Sequence, residues 1–122
     1  MKKNVLVIED EPVIAEMMSI LLEEDGHHVV SLADTVRARQ KLHDREVDLV
    51  MLDLGLKGED GQSMCVYIKE HDDLKHIPVI LVSANSDLEQ IKKDCGADDH
   101  IAKPFGLDDF IGKVRSFTTL IN

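Results

Sequence analysis

The sequence predicts an α/β fold in which helices cover both faces of a parallel β-sheet. Five short segments rich in Val, Ile and Leu alternate with segments whose apolar residues recur at helical spacing. Three of the short segments, residues 5–8, 49–52 and 79–82, are apolar without interruption. Strands that are buried on both faces of a parallel sheet have this composition. A β-α unit repeated about five times then requires right-handed crossovers, which place helices on both sides of the sheet.

The five predicted strands differ in how strongly their composition supports them. They comprise residues 4–8, 28–32, 48–52, 78–83 and 99–102. The second and fifth are less apolar than the other three, so we expect them nearer the edges of the sheet.

The first two predicted helices have recognisable starts. Pro12 stands at the first position of the first helix, where its missing N–H costs nothing, and Gly26 ends that helix. The second helix covers residues 36–45 and is entered through Asp34 or Thr35.

The last three predicted helices follow the third, fourth and fifth strands. The third covers residues 62–71. Ser86 and Glu89 match a capping box, so we expect the fourth helix to begin there with two satisfied backbone donors. A broad apolar stripe over residues 107–117 predicts the fifth, with Gly112 as a weak position in it.

The size and charge of the chain limit its possible functions. Its 122 residues suit one compact domain, so we expect residues 1–122 to form a single domain. A net charge of −10, from 24 acidic and 14 basic residues, opposes direct binding to nucleic acid. No apolar run approaches the roughly 20 residues of a membrane span, and no signal-peptide pattern is present. We therefore expect a cytoplasmic protein without a membrane partner.

Cysteine and histidine give no sign of a metal centre. Cys65 and Cys95 form neither a CxxC pair nor a zinc spacing, and both fall in predicted helices. We expect two buried, reduced thiols. The six histidines are scattered along the chain, and we expect them on the surface.

Polar residues follow four of the predicted strands. Glu9 and Asp10 come after the first strand, Asp53 after the third, Ser83 after the fourth and Lys103 after the fifth. Each alone is consistent with a helix cap or an ordinary loop. In parallel sheets, however, ligands bind beyond the carboxyl ends of the strands, so these side chains are expected to converge. The chain has neither GxGxxG nor a Walker loop, and an acidic first loop would repel a nucleotide phosphate.

The chemistry of these residues favours phosphoryl transfer. The carboxylates of Asp10 and Asp53, with Glu9, would repel one another unless a cation lay among them. Mg²⁺ joins carboxylates to phosphate oxygens in this manner. Asp53 could then act as a nucleophile toward phosphorus, while Lys103 stabilises the transferred oxygens. Ser83 could donate a hydrogen bond to the attached group.

Four stretches of the sequence resemble the receiver domains of two-component response regulators. They are VLVIEDEP, DLVMLDLGLKGEDG, PVILVSA and GADDHIAKPF, and the resemblance extends over about residues 4–120. It implies the flavodoxin-like receiver fold, a doubly wound five-stranded parallel sheet in strand order 2-1-3-4-5. It also implies a phospho-accepting signalling domain, not an enzyme, that takes its phosphoryl group from a phosphohistidine on a sensor histidine kinase or a histidine phosphotransfer protein.

The resemblance also assigns roles to single residues. Asp53 matches the phospho-acceptor. Asp10 would bind Mg²⁺ directly, Glu9 mainly through water, and Gly55 through its backbone carbonyl. Lys103 matches the family's lysine, and its bond to the following proline is expected to be cis.

The resemblance implies a switch as well. Ser83 matches the switch hydroxyl, and the face formed by the fourth helix, fifth strand and fifth helix would carry the output. The family's switch aromatic falls on His100, which is either a tolerated substitution or a weaker, pH-sensitive version. Lys57 stands where proline is common, and it could loosen that loop or bring an ammonium to the site. Gly55 and Asn85 occupy positions that influence hydrolysis of the acyl phosphate, whose lifetime the sequence does not fix.

Two alternatives and one question accompany this interpretation. A pseudo-receiver that never accepts phosphate is opposed by the intact Asp10, Asp53, Ser83 and Lys103. A dehalogenase-type phosphatase needs a second Asp two residues after the nucleophile, and Gly55 stands there. The output is either a downstream protein partner or an effector domain missing from this chain.

Overall fold

The computed structural model describes residues 3–44, 46–56 and 60–118. All strand pairs are parallel, and the sheet has the order β2-β1-β3-β4-β5. The strands are β1 Asn4–Ile8, β2 His28–Leu32, β3 Leu49–Asp53, β4 Val79–Ser83 and β5 Asp99–Ala102. The helices are α1 Pro12–Glu24, α2 Thr35–Leu42, α3 Gly61–Glu70, α4 Leu88–Cys95 and α5 Leu107–Thr118. The fold class and the strand order are therefore confirmed.

The core consists of two apolar layers, one on each face of the sheet. One layer packs Met18 of α1 and Phe110 of α5 against alternate strand residues. The other packs side chains of α2, α3 and α4, including Leu42 and Met64, against the remaining strand residues. Because successive strand side chains point to opposite faces, a strand buried on both sides must be apolar at every position. The central strands β1, β3 and β4 satisfy this requirement.

The edge strands were predicted correctly, whereas several element boundaries were not. β2 and β5 lie at the two edges, and neither is fully buried. β3 runs one residue further than expected, so Asp53 is its last residue. The helix predicted over residues 36–45 ends at Leu42, with His43 as its cap. Its start is confirmed, because the Asp34 side chain accepts the Val36 N–H at 2.8 Å.

The predicted capping box of α4 is wrong. Asp87, not Ser86, occupies the position before the helix, and no side-chain cap bond is formed there. The physical reason lies two residues earlier, since Asn85 Oδ1 accepts the Asp87 N–H at 2.8 Å. This local turn uses the chain up to Asp87, so the helix begins only at Leu88.

The cysteines follow the prediction, and one histidine does not. Cys65 and Cys95 are free and buried. His27 is 5% exposed, and its Nδ1 accepts the backbone N–H of Lys3 at 3.2 Å. The expectation that all histidines lie on the surface is therefore wrong for His27, because the start of β1 covers it. Within the described ranges, no helix is long and apolar enough to span a bilayer.

Candidate phosphoryl-accepting site

Three carboxylates meet at the carboxyl end of the sheet. Glu9 and Asp10 directly follow β1, and Asp53 ends the neighbouring strand β3. One carboxylate oxygen from each lies within 4.8 Å of the others. Glu9 is 2% exposed and Asp53 is 6% exposed, while Asp10 is half-buried. The structure therefore brings together the acidic residues that the sequence placed at two separate strand ends.

The Lys103 ammonium lies among these carboxylates. Its Nζ is 2.9 Å from Glu9 Oε1 and 3.5 Å from Asp53 Oδ1. Lys103 follows β5, and its backbone N–H donates to the Ser83 carbonyl at 2.9 Å, which fixes the start of its side chain. The Lys103-Pro104 peptide bond is cis, as expected.

Burial and neighbouring charges shift the pKa values of Glu9 and Lys103. Burial is the largest cause that raises the pKa of Glu9, and the nearby Asp53 adds to it, against the lowering effect of the Lys103 hydrogen bond. Burial acts to lower the pKa of Lys103, but the hydrogen bond to Glu9 and the charge of Asp53 outweigh it and raise that pKa. Among the described contacts, the Lys103 ammonium is thus shared by two carboxyl groups, those of Glu9 and Asp53. Binding of a further cation at such a site is therefore favourable.

The carboxylates are suited to holding Mg²⁺. Asp10 and Asp53 present oxygen ligands, which a hard divalent cation prefers, and they come from adjacent strand ends. The Oε1 of Glu9 already pairs with the Lys103 ammonium, and its Oε2 accepts the Glu11 N–H at 3.2 Å. This arrangement agrees with a role for Glu9 through water. The Gly55 carbonyl as a further ligand stays a prediction.

The residues directly after β3 contact the Asp53 carboxylate through Gly55. The Gly55 N–H donates to Asp53 Oδ1 at 3.2 Å and so orients the carboxylate. A methyl group at Gly55 would lie 3.8 Å from both carboxylate oxygens. A side chain at this position would therefore lie in van der Waals contact with the carboxylate. Lys57, for which two roles were considered, lies outside the described residues.

The two predicted switch residues lie on adjacent strands and in different surroundings. Ser83 ends β4, is 8% exposed, and its Oγ accepts the Asn85 N–H at 3.1 Å. That bond uses a lone pair and leaves the hydroxyl proton available for donation. His100 lies on β5, with its ring between the carboxylates of Asp99 and Glu89.

Two features of the site were not predicted from the sequence. Gly61 at the start of α3 approaches the backbone of Asp53 so closely that any side chain there would collide with the Asp53 carbonyl. The Asp60-Gly61 turn was recognised, but its contact with β3 was not. The second is an apolar pocket beside the Lys103 side chain, lined by Ile14, Met17, Ala84, Lys103, Pro104 and Phe105.

The family model of the response regulator receiver domain matches residues 5–115. The chain is 32% identical over 115 residues to the DNA-binding dual master transcriptional regulator RpaA of Synechocystis, covering 93% of this chain and 48% of that protein. It is 31% identical over 118 residues to the phosphate regulon transcriptional regulatory protein PhoB of Escherichia coli, covering 95% and 52%. The chain thus spans about half the length of these curated relatives.

Solved structures agree with the family match. The receiver domain of a signal transduction histidine kinase from Syntrophus aciditrophicus has a TM-score of 0.86 at 32% identity, over 94% of this chain and 89% of that one. The receiver domain of the sensor histidine kinase PA1611 from Pseudomonas aeruginosa, whose active-site cleft coordinates a magnesium ion, has a TM-score of 0.85 at 25% identity, over 96% and 98%.

A doubly wound sheet with an acidic cluster and a lysine at its carboxyl edge defines a signalling domain of two-component systems, not a classical enzyme. The chain belongs to the response regulator receiver family. The resemblance noted in the sequence is therefore confirmed at the level of the family.

Proposed function

We propose that Asp53 accepts a phosphoryl group from a phosphohistidine on a sensor histidine kinase or a histidine phosphotransfer protein. The observation that carries this proposal is the Asp53 carboxylate at the end of β3, 3.5 Å from the Lys103 ammonium and grouped with the carboxylates of Glu9 and Asp10. The whole of residues 1–122 would act as one receiver domain in the cytoplasm.

Mg²⁺ bound by Asp10, Asp53 and the Gly55 carbonyl, with Glu9 acting through water, would offset the negative charge of the incoming phosphoryl oxygens. Glu9 has a second task in this proposal. Its buried carboxylate holds the Lys103 ammonium at 2.9 Å, within reach of the oxygens that Asp53 would carry. The chain's own residues therefore pre-position one of the two positive charges that the transfer requires.

In the transfer, an oxygen of Asp53 attacks phosphorus in line with the P–N bond of the phosphohistidine. The new O–P bond forms as the P–N bond breaks, and the electron pair returns to the imidazole nitrogen, which takes up a proton from solvent. Lys103 then pairs with a phosphoryl oxygen, and the Ser83 hydroxyl donates to another. Orientation of Asp53 by the Gly55 N–H reduces the number of unproductive positions of the carboxylate.

The phospho-donor would rest on the exposed apolar surface beside this site. Val13 and Met17 of α1 are 75% and 43% exposed, and Leu107 at the start of α5 is 60% exposed. The apolar pocket that includes Met17 also includes Lys103, so this surface is continuous with the phospho-acceptor site. A macromolecular donor gains binding energy there, whereas a small phospho-donor cannot.

Phosphorylation would change the face formed by α4, β5 and α5. It adds about −1.5 to −2 charges at Asp53 and draws Ser83 and Lys103 toward it. Shifting a two-state equilibrium nearly completely takes about 5.5 kcal/mol of differential binding. Several charge-assisted hydrogen bonds in a partly dry site can supply much of that. His100 on β5 would participate in the switch, and the output would reach a downstream protein or an effector domain.

The test is the intact mass of the protein after incubation with acetyl phosphate, with and without Mg²⁺. We expect one phosphoryl adduct that requires Mg²⁺ and is absent in Asp53→Asn. Asp44→Asn, an exposed aspartate at the opposite end of the sheet, is the matched control and should be labelled like the wild type. No adduct, under conditions that label a known receiver, would instead support a pseudo-receiver that acts by binding alone.

A further inference from the structure

The imidazole ring of His100 lies between two carboxylates on different elements. Its Nε2 is 3.5 Å from Glu89 Oε2 on α4, and its Nδ1 is 3.9 Å from Asp99 Oδ1 on β5. Nδ1 is buried and has no hydrogen-bond partner within the described part of the chain. A neutral imidazole has one N–H and a protonated one has two. Uptake of one proton therefore gives each ring nitrogen a donor that faces a carboxylate.

The two carboxylates differ in what else they contact. Asp99 Oδ1 already accepts the His100 backbone N–H at 2.8 Å and the Lys113 ammonium at 3.1 Å. Burial acts to raise the pKa of Asp99, but these partners outweigh it and lower that pKa, so Asp99 remains a carboxylate. Glu89 Oε1 is 4.0 Å from Lys92 Nζ, while its Oε2 faces His100. Glu89 thus keeps one oxygen for the ring.

The remaining neighbours do not reverse this balance. On α5, Asp109 lines the same surface depression as His100 and Lys113, which adds a third carboxylate. On β4, the residue paired with His100 is the apolar Leu81. The charged groups on this face are therefore three carboxylates and two lysine ammonium groups among the described residues.

We propose that His100 is a proton-operated clasp between β5 and the first turn of α4. In the protonated state the ring donates to Glu89 and Asp99 and holds α4 against the sheet. In the neutral state it can donate to one carboxylate at most and forms no ion pair with Glu89, so α4 relies more on the apolar contacts of Leu88 and Cys95. The proposed output face includes α4 and β5, so an effect of this clasp on signalling rests on the proposed function. The clasp itself does not require phosphorylation.

The test is amide hydrogen exchange of α4, measured at pH 8 and at pH 5.5 on the unphosphorylated protein and corrected for the intrinsic exchange rate. We expect the protection factors over Leu88–Cys95 to rise about two- to fivefold at the lower pH, as a partly exposed ion pair can provide. The rise should disappear in Glu89→Gln and in His100→Phe, which keeps an aromatic ring but cannot be protonated. His28→Gln, at an exposed histidine of β2, should keep it.

An unchanged protection of α4 between the two pH values would overturn the proposal, and so would an equal rise in Glu89→Gln. The measurement is repeated on Asp53→Asn, which cannot be phosphorylated. A pH response in that variant supports the clasp whether or not Asp53 is the phospho-acceptor. Loss of phosphoryl labelling and loss of the pH response are therefore separate results.

Discussion

Two lysine ammonium groups contact carboxylates at opposite ends of the sheet, and their surroundings differ in charge. At the amino end, Lys69 Nζ lies 2.6 Å from Asp98 Oδ2 and donates to the backbone carbonyls of Ile77 and Lys75 at 2.8 and 3.3 Å. At the carboxyl end, Lys103 contacts Glu9 and Asp53, two members of a cluster of three carboxylates. The first group has one positive and one negative charge, and neutral acceptors complete it. In the second, two carboxyl groups share one ammonium among the described contacts.

The difference separates a structural role from a functional one. The Lys69 cluster joins α3, the loop before β4 and the residue before β5, and it has no need of another ligand. The Lys103 cluster has more carboxyl groups than ammonium groups among its described contacts, and a cation could balance that charge. A strand end with balanced charges stabilises the fold, whereas one with unbalanced charges is available for chemistry.

The largest effect is expected from Lys103→Met, which should reduce the rate of labelling by acetyl phosphate about 100-fold, because a pre-positioned charge at the transferred oxygens is lost. The rate is followed by intact mass over time in saturating Mg²⁺. Lys41→Met, at a partly exposed lysine that pairs with Glu46, serves as the control and should keep the wild-type rate. Labelling of Lys103→Met at the wild-type rate would remove Lys103 from the mechanism.

The next effect concerns stability. Lys69→Met should lower the free energy of unfolding by about 2 kcal/mol, because two carbonyls and the Asp98 carboxylate lose their partner. Urea unfolding at pH 7 gives this value if the slope with denaturant is unchanged. The labelling rate should stay within about twofold of the wild type, since α3 keeps its apolar contacts. A strong loss of labelling with intact stability would contradict the division between the two ends.

Mg²⁺ should stabilise the protein through the carboxyl end alone. At a free concentration of ten times Kd, one site adds about 1.4 kcal/mol to the free energy of unfolding. The measurement compares unfolding in MgCl₂ with unfolding in NaCl of equal ionic strength. Asp10→Asn should lose the gain, while Lys69→Met should retain it. Equal stabilisation of Asp10→Asn would place the cation elsewhere.

The smallest effect is expected at a pair with balanced charges, formed by the exposed Arg115 and the half-buried Asp25. The Arg115 hydrogen bond is the largest cause that lowers the pKa of Asp25 from its ordinary value of 3.8. A lowered pKa contributes stability that is fully present above the unfolded value and is lost as the pH falls through the folded value. Arg115→Met should therefore be slightly less stable than the wild type at pH 7. The difference between the two proteins in the free energy of unfolding, measured in urea, should become smaller below pH 3.8. A difference that does not change with pH would show that the variant loses packing, not charge.

Much of the fold follows from local patterns, and so do the strand ends that bear the site. The uninterrupted apolar residues of β1, β3 and β4 are required by burial on both faces, so composition alone located these strands. The ion pair between Glu9 and Lys103 joins residues 94 positions apart, which no local spacing reveals. The sequence predicted only that the strand ends carrying these two residues converge.

The failures have local and tertiary causes. α4 begins late because the Asn85 side chain makes a turn of its own, and this competes with the Ser86 capping box. His27 is buried because the start of β1 passes over it, a contact that depends on sheet assembly. Sequence periodicity reports neither a local side-chain turn nor a contact that forms only when the sheet assembles.

One backbone hydrogen bond fixes the relative positions of Ser83 and Lys103 in the candidate site. The Lys103 N–H and the Ser83 carbonyl form the last rung between β4 and β5, at 2.9 Å. The ammonium and the hydroxyl that would bind the same phosphoryl group thus belong to two residues joined by one backbone hydrogen bond. The sheet therefore sets the distance between them. Their spacing depends on the pairing of two strands and not on the conformation of the loops that surround them.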